Sequence, residues 1–265
     1  VEILSRINNS EDIIKLCMRV DALRGMGTKN IKARIPYIPY GRQDRRCNHG
    51  EAFSLKVFSN ILNSLKLDSV ETLDPHSDVT PALIDNIEVI SNQGLVDWAI
   101  LQINKDYGTR PTHINILSPD AGQSKKIYKL FSDYPDNYAS LYECSKIRDL
   151  KTTNIIDCKV PIIPGPEPIL IIDDICDGGR TFIEIAKKLR SQRDVGNVKE
   201  TENDLYLVVS HGIFSYGEEE LSKYFKKIYT TNSIRDYDYI RNTDTDILST
   251  HNVLSKLVYR MSVIW

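Results

Sequence analysis

Short apolar runs alternate with longer segments of helical periodicity, and this alternation constrains the fold more than any other feature. The runs that we predict to be strands span residues 33–40, 70–73, 113–117, 169–172 and 205–210. The segments with apolar residues at helical spacing span residues 13–23, 53–65, 95–103, 123–131 and 182–189. Strands and helices that alternate in this way form parallel sheets covered by helices on both faces. We therefore predict an α/β fold.

A polar cluster follows several of the predicted strands. In parallel α/β sheets, ligands bind beyond the carboxyl ends of the strands, so these clusters are candidate binding residues. Residues 91–94, Ser-Asn-Gln-Gly, interrupt the alternation and predict a boundary between two domains, residues 1–92 and 93–250. A further helix predicted at residues 253–261 lies in a tail, residues 251–265, that we expect to join the first domain.

Composition excludes several classes of protein. The formal net charge is -2 and the pI is near 6.3, which argues against a nucleic-acid partner. No apolar stretch is long enough to cross a membrane and the first residues do not form a signal peptide, so we expect no membrane partner and a cytoplasmic location. The 5 cysteines include no C-x-x-C pair, which favours reduced thiols over a disulfide framework or a zinc site.

Residues 169–181 carry the strongest chemical signal. A buried strand leads into Asp173 and Asp174, and a glycine-rich turn then leads into a helix. Glycines let backbone N–H groups approach an anion, and the start of a helix adds a positive dipole end. Paired carboxylates can accept hydrogen bonds from sugar hydroxyls or help to position a metal ion. The cluster suits a ligand with both a phosphate and vicinal hydroxyls, although an acidic strand end with an ordinary glycine turn is the alternative.

This segment resembles the phosphoribosyl-pyrophosphate signature of the type I phosphoribosyltransferase fold, which phosphoribosyltransferases share with phosphoribosyl pyrophosphate synthetases (ribose-phosphate pyrophosphokinases). The resemblance implies two tandem phosphoribosyltransferase-like domains, each a mostly parallel sheet flanked by helices. It implies that Asp173 and Asp174 bind the ribose hydroxyls. The loop that would hold the 5-phosphate of ribose 5-phosphate consists of Asp177, Gly178, Gly179, Arg180 and Thr181. The family more often has D-T-G/A-G-T, so Gly178 replaces a threonine and Arg180 a glycine.

Two segments of the first domain resemble the synthetases rather than the transferases. Residues 36–45 resemble P-Y-x-x-Y-x-R-Q-D-[RK], and residues 74–76 resemble D-x-H. The resemblance implies that Arg42, Gln43 and Asp44 contact ATP, and that His76 binds ATP phosphates or Mg²⁺ and acts in catalysis. An arginine fork can pair with phosphate or stack on adenine, and glutamine offers both a donor and an acceptor to a base edge.

Two segments of the second domain extend the resemblance. Residues 118–122 match S-P-D-A-G, which implies that Asp120 is a Mg²⁺ ligand, although a helix cap explains the same residues. Residues 146–149 resemble the K-x-R-D of the mobile catalytic loop, which implies that Lys146 and Arg148 stabilise charge in the transition state. A solvated charge pair on a loop is the alternative.

The resemblance implies an Mg²⁺-dependent ribose-phosphate diphosphokinase. It would transfer the β,γ-diphosphoryl group of ATP to O1 of ribose 5-phosphate for nucleotide or NAD synthesis. It also implies a homo-oligomer, a dimer or a hexamer. Three alternatives stay open: a non-catalytic regulatory subunit of a synthetase, a type I phosphoribosyltransferase, and a nucleotide-sensing module. The segment 42–44, His76 and the two-domain length favour the synthetase.

Overall fold

A computed structural model describes residues 1–108, 113–132, 134, 139–148, 155–192, 203–236, 240–242 and 245–249. The described chain divides into two compact units. The first contains Val1–Asn92 and Asn232–Asp236, and the second contains Gln93–Thr231 together with the described residues 240–242 and 245–249. The tail 251–265 and the helix predicted in it lie outside the described residues.

The first unit is built on a parallel sheet of four strands in the order β1-β2-β3-β4. Its elements are β1 (Glu2–Leu4), α1 (Ser10–Gly25), β2 (Lys32–Arg34), α2 (Ser54–Ser64), β3 (Ser69–Leu73), α3 (Val79–Leu83) and β4 (Ile87–Ile90). Helices α1 and α2 bury Leu16, Val20, Phe58 and Leu62 in one apolar cluster with the strand residues Ala33 and Val70.

Helix α1 begins three residues before the apolar pattern that predicts it, because polar residues form its first turn. The cap is Asn9, whose side chain accepts the Asp12 N–H at 3.0 Å, and Ser10 is already helical. Asparagine at this position satisfies a backbone N–H group that has no partner within the helix. Glu11 and Asp12 make the first turn acidic, which suits the positive end of the helix dipole.

The chain returns to this unit through residues 232–236. Arg6 donates to both carboxylate oxygens of Asp236, at 3.0 and 2.7 Å, and the Asn8 amide donates to the Ile234 carbonyl at 3.1 Å. Paired guanidinium–carboxylate contacts fix orientation as well as distance. These contacts attach the returning segment to the residues between β1 and α1.

The second unit contains a sheet of seven strands in the order β12-β13-β11-β10-β9-β5-β6, and a separate hairpin, β7-β8. Its helices are α4 (Gln93–Asp106), α5 (Ala121–Phe131), α6 (Arg180–Ser191) and α7 (Glu219–Ser222). Its strands are β5 (Ile114–Ser118), β6 (Ala139–Glu143), β7 (Ser145–Arg148), β8 (Ile155–Lys159), β9 (Ile169–Cys176), β10 (Leu205–Gly212), β11 (Lys227–Thr230), β12 (Ile240–Asn242) and β13 (Thr245–Ser249). All neighbours in the large sheet are parallel except β12 and β13.

Both faces of the large sheet are covered. One face packs alternate strand residues, such as Leu170 and Val208, against α4 and α5. The other packs the intervening residues, such as Ile171 and Val209, against α6. Strands buried on both faces need apolar residues without interruption, which is why these runs are recognisable in the sequence. The predicted α/β class with mostly parallel, helix-flanked sheets is confirmed.

Strand β2 is shorter than predicted. It ends at Arg34, whereas the sequence predicts a strand over residues 33–40. Pro36 and Pro39 have no N–H group to donate to a neighbouring strand, so the apolar residues between them form a loop instead. Within the described residues, no helix has the length and apolar character needed to span a bilayer.

Candidate active site

The first cluster of candidate residues lies in the turn after β2. The Gln43 N–H donates to the Tyr40 carbonyl at 2.9 Å, and the Gln43 carbonyl accepts the Leu55 N–H at 3.3 Å. These bonds connect the turn to the start of α2. Arg42 and Gln43 are exposed and Asp44 is half-buried, so the side chains predicted to contact ATP are accessible.

His76 lies beside this turn. A Cβ atom built on Gly41 would lie 3.7 Å from the Cβ of His76 and 3.3 Å from the Ile38 carbonyl oxygen. The glycine therefore lets the turn approach the end of β3 closely. Arg42, which follows Gly41, and His76 are both exposed.

Asp74 holds the segment that carries His76, and the sequence did not single it out as a site residue. Its side chain is buried and accepts a hydrogen bond from the Asn92 amide at 2.9 Å. Its N–H donates to the Ile90 carbonyl at 2.9 Å, and its φ angle of 36° lies in a region that non-glycine residues seldom adopt. Strained backbone held by such contacts is common beside functional groups.

The second cluster lies at the carboxyl ends of β5 and β9, which are neighbours in the sheet. Asp120 caps α5, because its side chain accepts the Gln123 N–H at 3.0 Å. The Ser118 hydroxyl donates to the Asp120 carbonyl at 2.7 Å. The capping role that the sequence offered as an alternative is therefore present, and it leaves one carboxylate oxygen outside the cap.

Asp173 and Asp174 lie inside β9 rather than beyond its end. The predicted strand stops at residue 172, but β9 continues to Cys176 because β10 pairs with it through Asp173↔Val209 and Gly212↔Cys176. The pairing partner, which is distant in sequence, extends the strand past the acids. Their backbone is thus held by the sheet and not by a turn.

The carboxyl groups of Asp173, Asp174 and Asp120 lie close enough to interact electrostatically. Burial raises the pKa of Asp173 well above its ordinary value, and the neighbouring Asp174 and Asp120 carboxylates raise it further. The Asp174 N–H donates to Asp173 Oδ1 at 2.9 Å. A bound cation would relieve this repulsion, and carboxylate oxygens are the protein ligands that Mg²⁺ prefers.

No preformed metal cage is present in the described part of the chain, where no group of three or more His, Cys, Asp or Glu side chains converges. Mg²⁺ usually takes one or two carboxylates and completes its coordination with water and substrate phosphates. The residues therefore fit a metal that arrives with a phosphate ligand. His76 and Asp120, the predicted metal ligands, belong to different units.

The candidate phosphate loop runs from β9 into α6. Gly179 caps α6 with a φ angle of +73°, and Arg180 is the first helical residue, two positions before the predicted start. The earlier start places the N–H group of Thr181 in the first helical turn, where backbone N–H groups lack helical partners and bind anions.

A second turn, residues 212–217 after β10, supports the phosphate loop. The Ile213 and Phe214 N–H groups donate to the Cys176 carbonyl at 2.8 and 3.1 Å, and the Ser215 N–H donates to the Asp177 carbonyl at 3.1 Å. The Ser215 hydroxyl also donates to the Asp177 carboxylate. Local sequence patterns do not reveal these supporting contacts, because the contacts join residues that are far apart in the chain.

Lys146 and Arg148 lie in β7 and not in a loop. The backbone of Lys146 pairs with Cys158 and that of Arg148 with Ile155 in the antiparallel hairpin, with an irregularity between Ile147 and Arg148. The expectation of a loop at these two positions is therefore wrong. Asp149 lies outside the described residues.

Comparisons with known proteins agree with these features. Residues 2–65 match the family model of the N-terminal domain of ribose phosphate pyrophosphokinase. A ribose-phosphate pyrophosphokinase of Prochlorococcus marinus is 27% identical over 274 residues, covering 95% of this chain and 72% of the relative. One from Pyrococcus abyssi is 28% identical over 225 residues, covering 84% of this chain and 72% of the relative.

A solved structure confirms the predicted fold over almost the whole chain. Phosphoribosylpyrophosphate synthetase from Mycobacterium smegmatis superposes with a TM-score of 0.77 at 20% sequence identity, covering 98% of this chain and 80% of that one. At this level of identity the likeness establishes the fold.

Proposed function

The chain is a relative of the ribose-phosphate pyrophosphokinases along nearly all of its length, and we propose that it is a ribose-phosphate diphosphokinase. It would transfer the β,γ-diphosphoryl group of ATP to O1 of ribose 5-phosphate. The O1 oxygen bonds to the β-phosphorus, the bond from that phosphorus to the α,β-bridging oxygen breaks, and AMP leaves. The O1 proton passes to solvent, and the product is 5-phosphoribosyl 1-diphosphate.

The observation that carries the proposal is the direct passage from the Asp173–Asp174 pair to the N-terminus of α6. Adjacent carboxylates accept hydrogen bonds from vicinal hydroxyls, and the helix start offers N–H groups to a phosphate. We assign Asp173 and Asp174 to the ribose hydroxyls. The residues that we assign to the 5-phosphate are Asp177, Gly178, Gly179, Arg180 and Thr181.

On the nucleotide side, we assign Arg42, Gln43, Asp44 and His76 to ATP. The exposed Arg42 and Gln43 side chains and the proximity of His76 to their turn support this assignment. Arg42 can pair with a phosphate and Gln43 can bind a base edge, since guanidinium and amide groups offer those hydrogen-bond patterns.

Mg²⁺ would neutralise the phosphates of ATP, with Asp120 and His76 as protein ligands. The position of Asp120 after β5, whose neighbour in the sheet is the Asp173-bearing strand β9, supports a metal at Asp120. Lys146 and Arg148 would stabilise the negative charge that develops on the transferred group. Cations placed where this charge develops lower the free energy of the transition state more than that of the bound substrates.

Two alternatives from the sequence predict different results. A transferase would not need residues 2–65, which match a pyrophosphokinase domain. A non-catalytic regulatory subunit would be expected to lack one or more of the catalytic residues, and this chain retains His76, Asp120, Lys146 and Asp173. A cytoplasmic location and a homo-oligomer, a dimer or hexamer, remain part of the proposal, the latter testable by light scattering.

The test is to incubate the purified protein with ATP, ribose 5-phosphate and Mg²⁺ and to measure AMP and 5-phosphoribosyl 1-diphosphate together. Equal amounts of both products, lost with EDTA and in His76→Ala, would support the synthetase. Binding of ATP and ribose 5-phosphate without AMP formation would indicate the regulatory subunit. If the protein binds 5-phosphoribosyl 1-diphosphate but does not bind ATP, the result would indicate a transferase.

A further inference from the structure

The ring of Tyr216 lies directly against Gly178 of the candidate phosphate loop. A Cβ atom built on Gly178 would lie 2.9 Å from Cε2 and 3.0 Å from Cδ2 of that ring. Carbon atoms that are not bonded do not normally approach below about 3.5 Å. A side chain at position 178 and the ring of Tyr216 therefore cannot occupy their present positions together.

The turn that carries Tyr216 is held firmly. Phe214 is buried and adopts a φ angle of 47°, and the Gly217 N–H donates to the Phe214 carbonyl at 2.9 Å. The bonds from Ile213, Phe214 and Ser215 to the carbonyls of Cys176 and Asp177 join this turn to the phosphate loop. The backbone of the turn is thus placed without any contribution from the Tyr216 side chain.

Tyr216 itself contributes little to the core, because it is 85% exposed. An aromatic ring that is this exposed adds little hydrophobic stabilisation, which scales with the apolar area removed from water. Burial in the core therefore does not explain why the ring lies so close to Gly178. The ring limits the positions that the loop can adopt on the side of Gly178.

We propose that Tyr216 is a positioning residue of the phosphate loop, whose ring packs on Gly178 and holds the loop in the conformation that binds the 5-phosphate of ribose 5-phosphate. The inference rests on the proposed function, and it adds a residue that acts through the loop rather than by reacting itself. Two properties follow: the ring matters and its hydroxyl does not, and the effects of residues 178 and 216 depend on each other.

The test uses the full chain and two readouts, steady-state kinetics and calorimetric titration with ribose 5-phosphate alone. For Tyr216→Ala we expect KM and Kd for ribose 5-phosphate to rise about tenfold, equivalent to about 1.4 kcal/mol, with kcat nearly unchanged. Tyr216→Phe should behave as the unmodified protein does. Tyr128→Ala, which removes another exposed tyrosine of the same unit, is the matched control and should leave both constants unchanged.

The double-mutant cycle tests the contact itself. Gly178→Ala should weaken ribose 5-phosphate binding because the new Cβ displaces the ring and the loop. Gly178→Ala combined with Tyr216→Ala should bind no worse than Tyr216→Ala alone, since the clash is then absent. The inference would be overturned if Tyr216→Ala bound ribose 5-phosphate as tightly as the unmodified protein does. It would also be overturned if the fold-changes in Kd of the two single variants multiplied to give that of the double variant.

Failure of the inference and failure of the proposed function give different results. If the unmodified protein forms both products but Tyr216→Ala is unaffected, only the inference fails. If the unmodified protein forms no product, the proposed reaction fails, and the titrations with ribose 5-phosphate still decide the role of the ring. If Gly178→Ala does not fold, the comparison of Tyr216→Ala with Tyr216→Phe decides it.

Discussion

Replacing Gly179 by alanine should damage both the stability of the second unit and its affinity for ribose 5-phosphate. Gly179 adopts a φ angle of +73° at the start of α6. A Cβ atom there would lie 3.1 Å from Cγ and Cδ1 and 3.2 Å from Cδ2 of the buried Leu221. The alanine variant therefore meets both an unfavourable backbone conformation and a tight side-chain contact.

The magnitude follows from these two costs. An alanine in the left-handed region costs about 1–2 kcal/mol, and overpacking a filled site costs about 1–3 kcal/mol. Leu221 can shift somewhat, so we expect the total destabilisation to lie in the lower half of the summed range, about 2–3.5 kcal/mol. Gly108→Ala is the matched control in the same unit: its φ angle is +100° and no heavy atom lies within 4 Å of the added Cβ.

The control isolates the contact with Leu221. A φ angle of +100° lies farther from the left-handed minimum near about +57° than the angle at Gly179 does, so the backbone cost at Gly108 is at least as large. Any further loss of unfolding free energy in Gly179→Ala, compared with Gly108→Ala, must then come from the contact of the new Cβ with Leu221. We expect Gly108→Ala to cost about 1–2 kcal/mol and to bind ribose 5-phosphate normally.

Amide hydrogen exchange in β9 and β10 would measure the unfolding free energy of the second unit directly, because these strands form its core. Calorimetric titration would give the affinity for ribose 5-phosphate of each folded variant. The argument would be refuted if Gly179→Ala and Gly108→Ala lowered the unfolding free energy equally and neither changed the affinity for ribose 5-phosphate. Leu221 would then not confine the Gly179 backbone, and that backbone would not shape the phosphate loop.

The remaining predictions concern catalysis, site geometry and pH. Lys146→Ala should lower kcat more than it raises KM, and a change in KM alone would contradict a role in the transition state. Asp74→Ala should raise KM for ATP with the affinity for ribose 5-phosphate unchanged, because the Asn92 amide loses its buried acceptor and His76 loses its support. Burial and the neighbouring Asp204 raise the pKa of Tyr107 above 10.0, so its neutral hydroxyl stabilises the fold below about pH 10 and that stability is lost as the pH rises further. Denaturant titrations of the unmodified protein and Tyr107→Phe at increasing pH should show a smaller alkaline loss in the variant.

The sequence predicted the central strands β9 and β10 but missed edge strands such as β1 and β4, and it also missed the interior strand β11, which has only 4 residues. Residues 169–172 and 205–210 are uninterrupted apolar runs because β9 and β10 have helices on both sides. Strand β1 spans 3 residues and β4 has no fully buried residue, so neither had a recognisable pattern. A regular apolar pattern arises where the side chains of an element are buried. An exposed edge strand buries few side chains, so its sequence shows little of this pattern.

Residue types lead to a prediction of the chemistry of the candidate site, but they do not determine its geometry. Carboxylates next to glycines already indicated a sugar-phosphate ligand, because residue type determines which groups can be bound. Where β9 ends depends instead on its pairing with β10, whose residues lie more than thirty positions away in the chain. Likewise, the roles of Asp74 and Asn92 depend on a hydrogen bond between residues 18 positions apart. Contacts of this kind are absent from any local pattern.

The two glycines of the phosphate loop illustrate the same limit most clearly. Their presence indicated a turn that approaches an anion, but the reason why these positions lack side chains could not be read from the sequence. Gly179 needs its positive φ angle, whereas Gly178 needs only space, because the ring of Tyr216 already fills it. The requirement at Gly178 is therefore set by a residue of another turn, and it would disappear if that residue were small. At a glycine of the first kind any side chain carries a backbone cost whatever its neighbours are, whereas a glycine of the second kind can change together with its neighbour.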